Sequence, residues 1–315
     1  MSTFDEAPVS WQEPQKDAPP ARRNWSELII ETLIRLAGIS AVVIITLIFL
    51  FLLKEGAPAF MQVPITNLLS TRWYPIEDMF GLIPLLVGSL LVTIGAVAIA
   101  VPLGLTTAVY LGEFAPPWQR EILKPVIEVL AAIPSIVLGF LGWVALAPLI
   151  QGAGAPTGLT AFTGAIILAY MSLPTIISIT EDALYAVPRE YRDGALALGA
   201  TQWQTIWRVT LPAARSGIVI AVMLGVGRAI GETMAVMLVT GNAANIPQFG
   251  LGAFFQPVRT MTATIAAEMG EVAQGSVHYS VLFAIGIVLF LITFLVNSLA
   301  TRFIGGSARR RGGQI

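Results

Sequence analysis

Long uncharged apolar runs, divided by short charged or glycine- and proline-rich stretches, set the pattern of this chain. Residues 36–53 are 18 uncharged, mostly apolar positions between Arg35 and Lys54, close to the minimum for a helix crossing a hydrocarbon core of about 30 Å. Residues 81–111 carry no charge over 31 positions. At roughly 20 residues per crossing that is too few for two, so the pattern predicts one long span with a break at Pro102. From Val126 to Thr180 the one charge is Glu128, and the stretch Gln151–Gly158 divides this run into a third and a fourth span. Ser216–Thr240 and Tyr279–Thr301 read as the fifth and sixth. The runs are continuous and lack period-two alternation, which excludes a β-barrel. The expected fold is an all-α integral membrane protein, a bundle of six transmembrane helices.

Composition agrees with that pattern. Of 315 residues 56% are hydrophobic and only 12% charged, where a soluble domain carries charge at about a quarter of its positions. The formal net charge of −1 argues against a nucleic-acid partner, which would demand a basic surplus or stripe. The absence of cysteine excludes disulfides, thiolate metal sites and cysteine nucleophiles, and the single histidine, His278, excludes a multi-histidine metal site. His278 itself reads as an interfacial residue at the mouth of the sixth span, with no role assigned. Residues 1–27 are rich in Pro, Glu and Asp, unlike the basic start and apolar core of a signal peptide, and so predict a retained, disordered tail.

The basic residues orient the bundle, because Lys and Arg accumulate in cytoplasmic loops. With six spans, 14 of the 18 fall on the side of the termini: Lys16, Arg22, Arg23, Arg35, Arg120, Lys124, Arg189, Arg192, Arg208, Arg215, Arg302, Arg309, Arg310 and Arg311. Lys54, Arg72 and Arg259 fall on the other, and Arg228 lies inside the fifth span. Both termini are therefore expected in the cytoplasm. The segments expected are a tail at 1–27, the first transmembrane helix and an outer loop at 28–80, a core at 81–303 containing a cytoplasmic loop at 181–215, and a basic tail at 304–315.

The loop at 181–215 has helix signals of its own. Pro188 suits the first turn of a helix through Leu198, Gly199 the position just past its end, and Thr201 with Gln204 a capping box opening a second helix that ends near Leu211 and Pro212. Ala195, Leu198, Trp203, Ile206 and Trp207 give the pair an apolar surface, which either docks a partner or packs on the chain's own helices or the lipid interface. In the fifth span Arg228 is the thirteenth of 25 residues, near the bilayer midplane, where a charge costs about 2.5–3.5 kcal/mol on insertion scales. Glu232 follows one turn later on the same face. The two form either a self-neutralising structural pair or an anion contact, for which the planar guanidinium is suited.

Two sets of residues carry a resemblance. Asp193-Gly194-Ala195, then Gly199-Ala200, then Val209-Thr210-Leu211-Pro212 resembles the "EAA" loop of ABC-importer permeases, with Gly six residues after the first anchor and Pro thirteen after that. Asp193 stands for the usual Glu and Gly194 for the first Ala. Gly227-Arg228-Ala229-Ile230-Gly231-Glu232-Thr233-Met234-Ala235-Val236, with Val101 to Gly104, Tyr110 to Ala115, Ile133-Pro134-Ser135 and the stretch from Thr262 to Tyr279, resembles the phosphate-specific ABC permeases of the PstC type. The resemblance implies a type I permease bundle and a phosphate importer, with Arg228 and Glu232 at the substrate and Asp193, Gly194, Ala195, Gly199, Ala200, Leu211 and Pro212 in a loop that docks on the ATPase. It also implies a second, PstA-type permease, a dimer of PstB-type ATPase subunits and a periplasmic PstS-type phosphate-binding protein. ATP and Mg belong to the ATPase. This chain has no P-loop, since its lysines are followed by Asp17, Glu55 and Pro125. Thr262 to Glu271 reads as a short outer-face helix or a solvated loop. Rival readings are an ABC permease for sulfate or molybdate, an ion-coupled secondary transporter, and a membrane enzyme. The last two lack repeat halves with several membrane acids and a nucleophile with its base, respectively.

Overall fold

The computed structural model describes residues 25–309 apart from 249. The expected N-terminal tail lies outside the described residues up to position 24, as do residues 310–315 of the basic C-terminal tail. The chain divides into two units, residues 1–50 and 51–315. In the first, the described part is the beginning of helix α1 (Trp25–Gln62), whose apolar side chains are exposed. α1 exceeds the predicted run of 36–53 at both ends, because the apolar stretch marks only what a hydrocarbon core must cover.

The second unit continues with a short turn, α2 (Ile65–Leu68), and a two-stranded antiparallel hairpin, β1 (Trp73–Tyr74) and β2 (Met79–Phe80), in which Trp73 pairs with Phe80. Next come α3 (Ile83–Val109), α4 (Pro117–Ala131), α5 (Ser135–Leu141), α6 (Ala147–Gly152) and α7 (Ala161–Tyr185). The chain then forms α8 (Arg189–Ala197), α9 (Gln202–Thr205), α10 (Leu211–Gly231), α11 (Met234–Val239), α12 (Met261–Glu268) and α13 (Val277–Arg309). Among the described residues six helical segments are long and apolar enough to cross a membrane: Glu27–Gln62, Ile83–Phe114, Ser135–Gly152, Ala161–Tyr185, Gln202–Gly231 and Val277–Leu299. The all-α six-span bundle predicted from the sequence is the observed fold.

Several boundaries differ from expectation. α3 runs unbroken through Pro102 and ends in a π-helical turn at Tyr110–Phe114, since neighbouring helices and hydroxyl side chains re-satisfy the backbone around a proline within a membrane bundle. The third span starts at Ser135 rather than near Val126, because Pro134 stops the chain from continuing α4 and caps α5 instead. α7 extends past Thr180 to Tyr185, so the connecting module is shorter than 181–215. Its second helix does not stop at Pro212. A π-helical turn at Ile206–Thr210 carries it into α10, so Pro212 follows that turn within one helical segment, Gln202–Gly231, and the local π adjustment accommodates its missing amide.

α7 is the centre of the bundle, packed along α3 on one side and α10 on the other. Its Ile176 is 1% exposed. A Cβ added at Gly104 of α3 or at Gly225 of α10 would lie 2.6 Å and 2.7 Å, respectively, from the Ile176 side chain. Only hydrogen at both positions lets three backbones converge there, and Ser172 Oγ donates to the Gly225 carbonyl at 3.2 Å beside the contact. At the outer edge, Lys124 ties α4 to α7 through Glu181 and Asp182, each 3.3 Å away. Partial burial pulls the Lys124 ammonium toward neutrality. The hydrogen bond and charge of Glu181, with Asp182 behind them, outweigh that pull and hold its pKa above 10.5. The stabilisation is therefore complete below 10.5 and fades only as pH rises through the raised value, so α4 stays fastened throughout the physiological range.

Gly88 gives a direct test of this packing. A Cβ there would strike the backbone carbonyl of Arg259, whereas one at Gly38 meets nothing within 4 Å. Gly88→Ala should lower thermal stability in detergent by about 1–3 kcal/mol, the usual range for overpacking, with Gly38→Ala unchanged. Equal melting of the two variants would show that α3 does not approach the Arg259 loop as described.

Candidate functional site

The fifth apolar run is not one helix. α10 stops at Gly231, Glu232 is extended (φ −70°, ψ 135°), Thr233 is irregular, and α11 starts at Met234. Gly231 is a weak helix residue, and the side chains of Glu232 and Thr233 bond to nearby backbone in competition with the helix. Thr233 Oγ1 donates to the Gly231 carbonyl at 3.2 Å, and the Glu232 carboxylate accepts from the Ala235 amide at 3.3 Å, as an N-terminal capping group. The Glu232 carbonyl, which has lost its helical partner, accepts from Thr262 Oγ1 at 2.8 Å. Thr262 belongs to α12, whose first turn is buried. The helix predicted at 262–271 thus exists, but as a packed element supporting the break rather than a solvated outer segment.

This break changes the reading of the charged pair. The i, i+4 geometry requires a continuous helix, and the extended backbone at Glu232 destroys it. Among the described residues no ion pair joins Arg228 to Glu232. Arg228 lies in the last turn of α10, where the helix dipole favours a cation, and among the described residues its one polar contact is a 3.5 Å hydrogen bond to the Ala131 carbonyl. Ala131 is the last residue of α4, and after the Ala132-Ile133-Pro134 interruption α5 packs against α11 so closely that a Cβ at Gly139 would lie 2.7 Å from Ala235 Cα. Two helix interruptions therefore meet at a half-buried guanidinium with most of its donors free. Such a group can take an oxyanion through paired charge-assisted hydrogen bonds, and Glu232 offers an acceptor one break away.

The other predicted residues gather at α8. Asp193 and Gly194 are exposed and Ala195 half-buried within this helix. Gly199 has φ +83°, the left-handed geometry of a helix C-cap, with its amide on the Leu196 carbonyl (2.9 Å) and the Ala200 amide on the Ala195 carbonyl (3.1 Å). The Thr201–Gln204 capping box is formed. Leu198 is 91% exposed, and Trp203 and Trp207 are also exposed, but Ile206 is buried and takes no part in the apolar surface. Leu211 is half-buried and Pro212 exposed at the start of α10. No hydrogen bond or ion pair links this group to Arg228 or Glu232 among the described residues.

A third cluster escaped the sequence. Glu268, at the end of α12, accepts from Trp73 Nε1 (3.1 Å), pairs with Arg259 (2.8 Å) and lies 2.8 Å from His278 Nε2. His278, the second residue of α13 and so at the mouth of the sixth span, packs beside the rings of Trp73 and Phe80. Trp73 and Glu268 are 195 positions apart, and no spacing rule could have joined them. Among the described residues no three acidic or histidine side chains are arranged to hold a metal ion.

Comparisons with known proteins follow the same geometry. The model for the family described as "Binding-protein-dependent transport system inner membrane component" matches residues 100–306. The chain is 41% identical over 273 residues to the probable ABC transporter permease protein YqgH of Bacillus subtilis (strain 168), covering 85% of this chain and 86% of that protein. It is 36% identical over 305 residues to the phosphate transport system permease protein PstC of Mesorhizobium japonicum, covering 90% and 92%. Among solved structures, a bacterial alginate ABC transporter aligns with a TM-score of 0.58 at 17% identity, covering 90% of this chain and 99% of that one. The inward-facing MetNI methionine ABC transporter aligns with a TM-score of 0.57 at 19% identity, covering 75% and 99%. At such identities the structures establish a shared fold alone.

Glu268→Ala leaves Arg259 as an uncompensated, largely buried charge and should destabilise the protein by about 3–5 kcal/mol, with Glu268→Gln less harmful because an acceptor remains. Thermal unfolding in detergent measures this. Wild-type melting of Glu268→Ala would mean that the cluster does not hold α12 in place.

Proposed function

Because the chain belongs to the family of binding-protein-dependent transport system inner membrane components, we propose that it conducts phosphate as one permease of an ATP-driven importer. It is a multi-pass membrane transport subunit and does no covalent chemistry, ATP hydrolysis being the task of a separate ATPase subunit in an ABC system with a partner permease and a binding protein. The observation that carries the choice of phosphate is the 36% identity to a phosphate transport system permease over 90% of this chain. The finer assignments are part of the proposal: a PstA-type second permease, a PstB-type ATPase dimer holding ATP and Mg, a PstS-type phosphate-binding protein, and both termini in the cytoplasm. In this orientation the exposed face of α8, with Asp193, Gly194, Ala195, Gly199 and Ala200, meets the ATPase as a helix in a groove, and Leu211 and Pro212 join it to α10.

Arg228 is the substrate contact in this reading. Phosphate at neutral pH carries negative charge and at least one proton. The guanidinium, which no carboxylate among the described residues neutralises, attracts the anion by charge-assisted hydrogen bonds, and Glu232 accepts the proton's hydrogen bond. Sulfate has no such proton, and meets Glu232 as like charge. Glu232 contributes as an acceptor and as the cap of α11, and does not orient the guanidinium.

Uptake of labelled phosphate into vesicles containing the reconstituted complex, with sulfate and molybdate as competitors, tests the proposal. Arg228→Ala should reduce uptake about 10- to 100-fold in a complex that still assembles, in line with the loss of a charged hydrogen-bond donor worth about 1.5–3 kcal/mol. Glu232→Gln should relax the exclusion of sulfate. Full uptake by Arg228→Ala would end the substrate assignment, and equal uptake of sulfate by the wild type would end the phosphate assignment.

A further inference from the structure

α8 can pass a push from a partner into the bundle only if it is fastened there, and the fastening is not apolar. The helix has no buried residue. Its hold is Arg192, whose side chain is 21% exposed. Arg192 Nη2 donates to Glu113 Oε1 at 2.7 Å and to the Leu184 carbonyl at 2.8 Å, Nη1 donates to the Val187 carbonyl at 2.9 Å, and Nε reaches Glu113 Oε1 at 3.3 Å. Glu113, 9% exposed, stands in the π-helical turn that closes α3. Leu184 and Val187 lie at the carboxyl end of α7, where a cation bonds their carbonyls, the Leu184 oxygen also accepting from the Val187 amide, and suits the helix dipole. Gln202, at the start of α9, adds a 3.3 Å bond to the Glu113 carbonyl.

We infer that Arg192 and Glu113 are the joint through which displacement of α8 moves the transmembrane helices. They are positioning residues, touching neither the transported anion nor, by their buried location, the ATPase. One planar guanidinium binds the ends of α3 and α7 to α8, a task that a lysine ammonium cannot repeat, since it lacks the fixed fork. α3 and α7 move as a pair because they pack along their length. α7 in turn meets α10 at the Ile176–Gly225 contact, three residues before Arg228. The joint thus lies at the head of a packed route from the partner-facing helix to the helix that carries the guanidinium. This inference rests on the proposed docking of α8 on an ATPase. A rigid connection of this kind couples two sites only if loosening it changes their linkage, which is measurable.

The experiment uses the complete complex in vesicles, with binding protein and phosphate, and compares Glu113→Gln, Arg192→Lys and the double variant. Both single changes preserve approximate shape and leave the exposed face of α8 intact. Three quantities are read per assembled complex: retained ATPase, ATP hydrolysed, and phosphate imported. The expected result is wild-type retention of the ATPase with phosphate imported per ATP reduced at least about fivefold in each single variant, and no further fall in the double, as residues acting as one unit require. An unchanged ratio in both single variants would overturn the joint, whatever the yield of complex, and additive losses in the double would show that the two residues act separately. Failure of the wild-type chain to retain an ATPase or to import phosphate would instead overturn the proposed function.

Discussion

Inside an apolar bundle no water is available to satisfy a free backbone amide or carbonyl, so each interruption of a helix needs a partner from the protein itself. This constraint explains where the chain breaks and where it does not. The break at Glu232–Thr233 persists because Thr262 accepts the task of bonding the Glu232 carbonyl and the Glu232 carboxylate caps α11. Thr262 is available because α12 is buried, and α12 is held by Glu268, on which Trp73, Arg259 and His278 converge. The guanidinium at the end of α10 is therefore a product of tertiary structure extending to the hairpin at β1 and β2. Its charge is held by a helix terminus and one carbonyl, which leaves donors for the anion that the proposed function requires.

The same reasoning separates what the residues reveal in order from what they reveal only when folded. The six spans were legible because length and apolarity are averages over some 20 positions. Gly199 and the Thr201–Gln204 box were legible because a left-handed cap and a reciprocal cap are local, three-residue affairs. Pro102 and Pro212 misled, since a proline tells where an amide is missing but not whether a neighbour or a local π-turn makes the loss harmless. Arg228 and Glu232 were found as residues, but their relation was misjudged. Their spacing is a pair only on an unbroken helix, and what breaks the helix lies 30 positions downstream. Glu113 and Arg192, 79 positions apart, and the Glu268 cluster left no trace in spacing at all.

For transport, the arrangement joins two regions with different physical demands. In this proposal the exposed apolar side chains that meet a partner, Leu198, Trp203 and Trp207, follow α8, and the anchoring of α8 itself is polar and lies underneath, in the Arg192–Glu113 pair. The region around Arg228 needs to be water-poor to make a charge-assisted bond count, yet open enough for an ion to pass, and helix ends supply this combination without requiring a polar lining along the whole path. Gly104 and Gly225 let α3 and α10 close on α7 at Ile176, and Gly139 lets α5 close on α11 beside the break at Glu232–Thr233.

In the proposed importer the interruption after α10 lines the path of phosphate. The chain contains no cysteine, and Gly231 is exposed with nothing within 4 Å of an added Cβ, so Gly231→Cys provides one reactive thiol beside Arg228. In the reconstituted complex with its binding protein, the rate at which a small charged thiol reagent modifies that position measures access to the site. A measurable rate that phosphate slows severalfold and an equal concentration of sulfate does not is the expected result. A position that never reacts, or one whose rate is the same with and without phosphate, would contradict it.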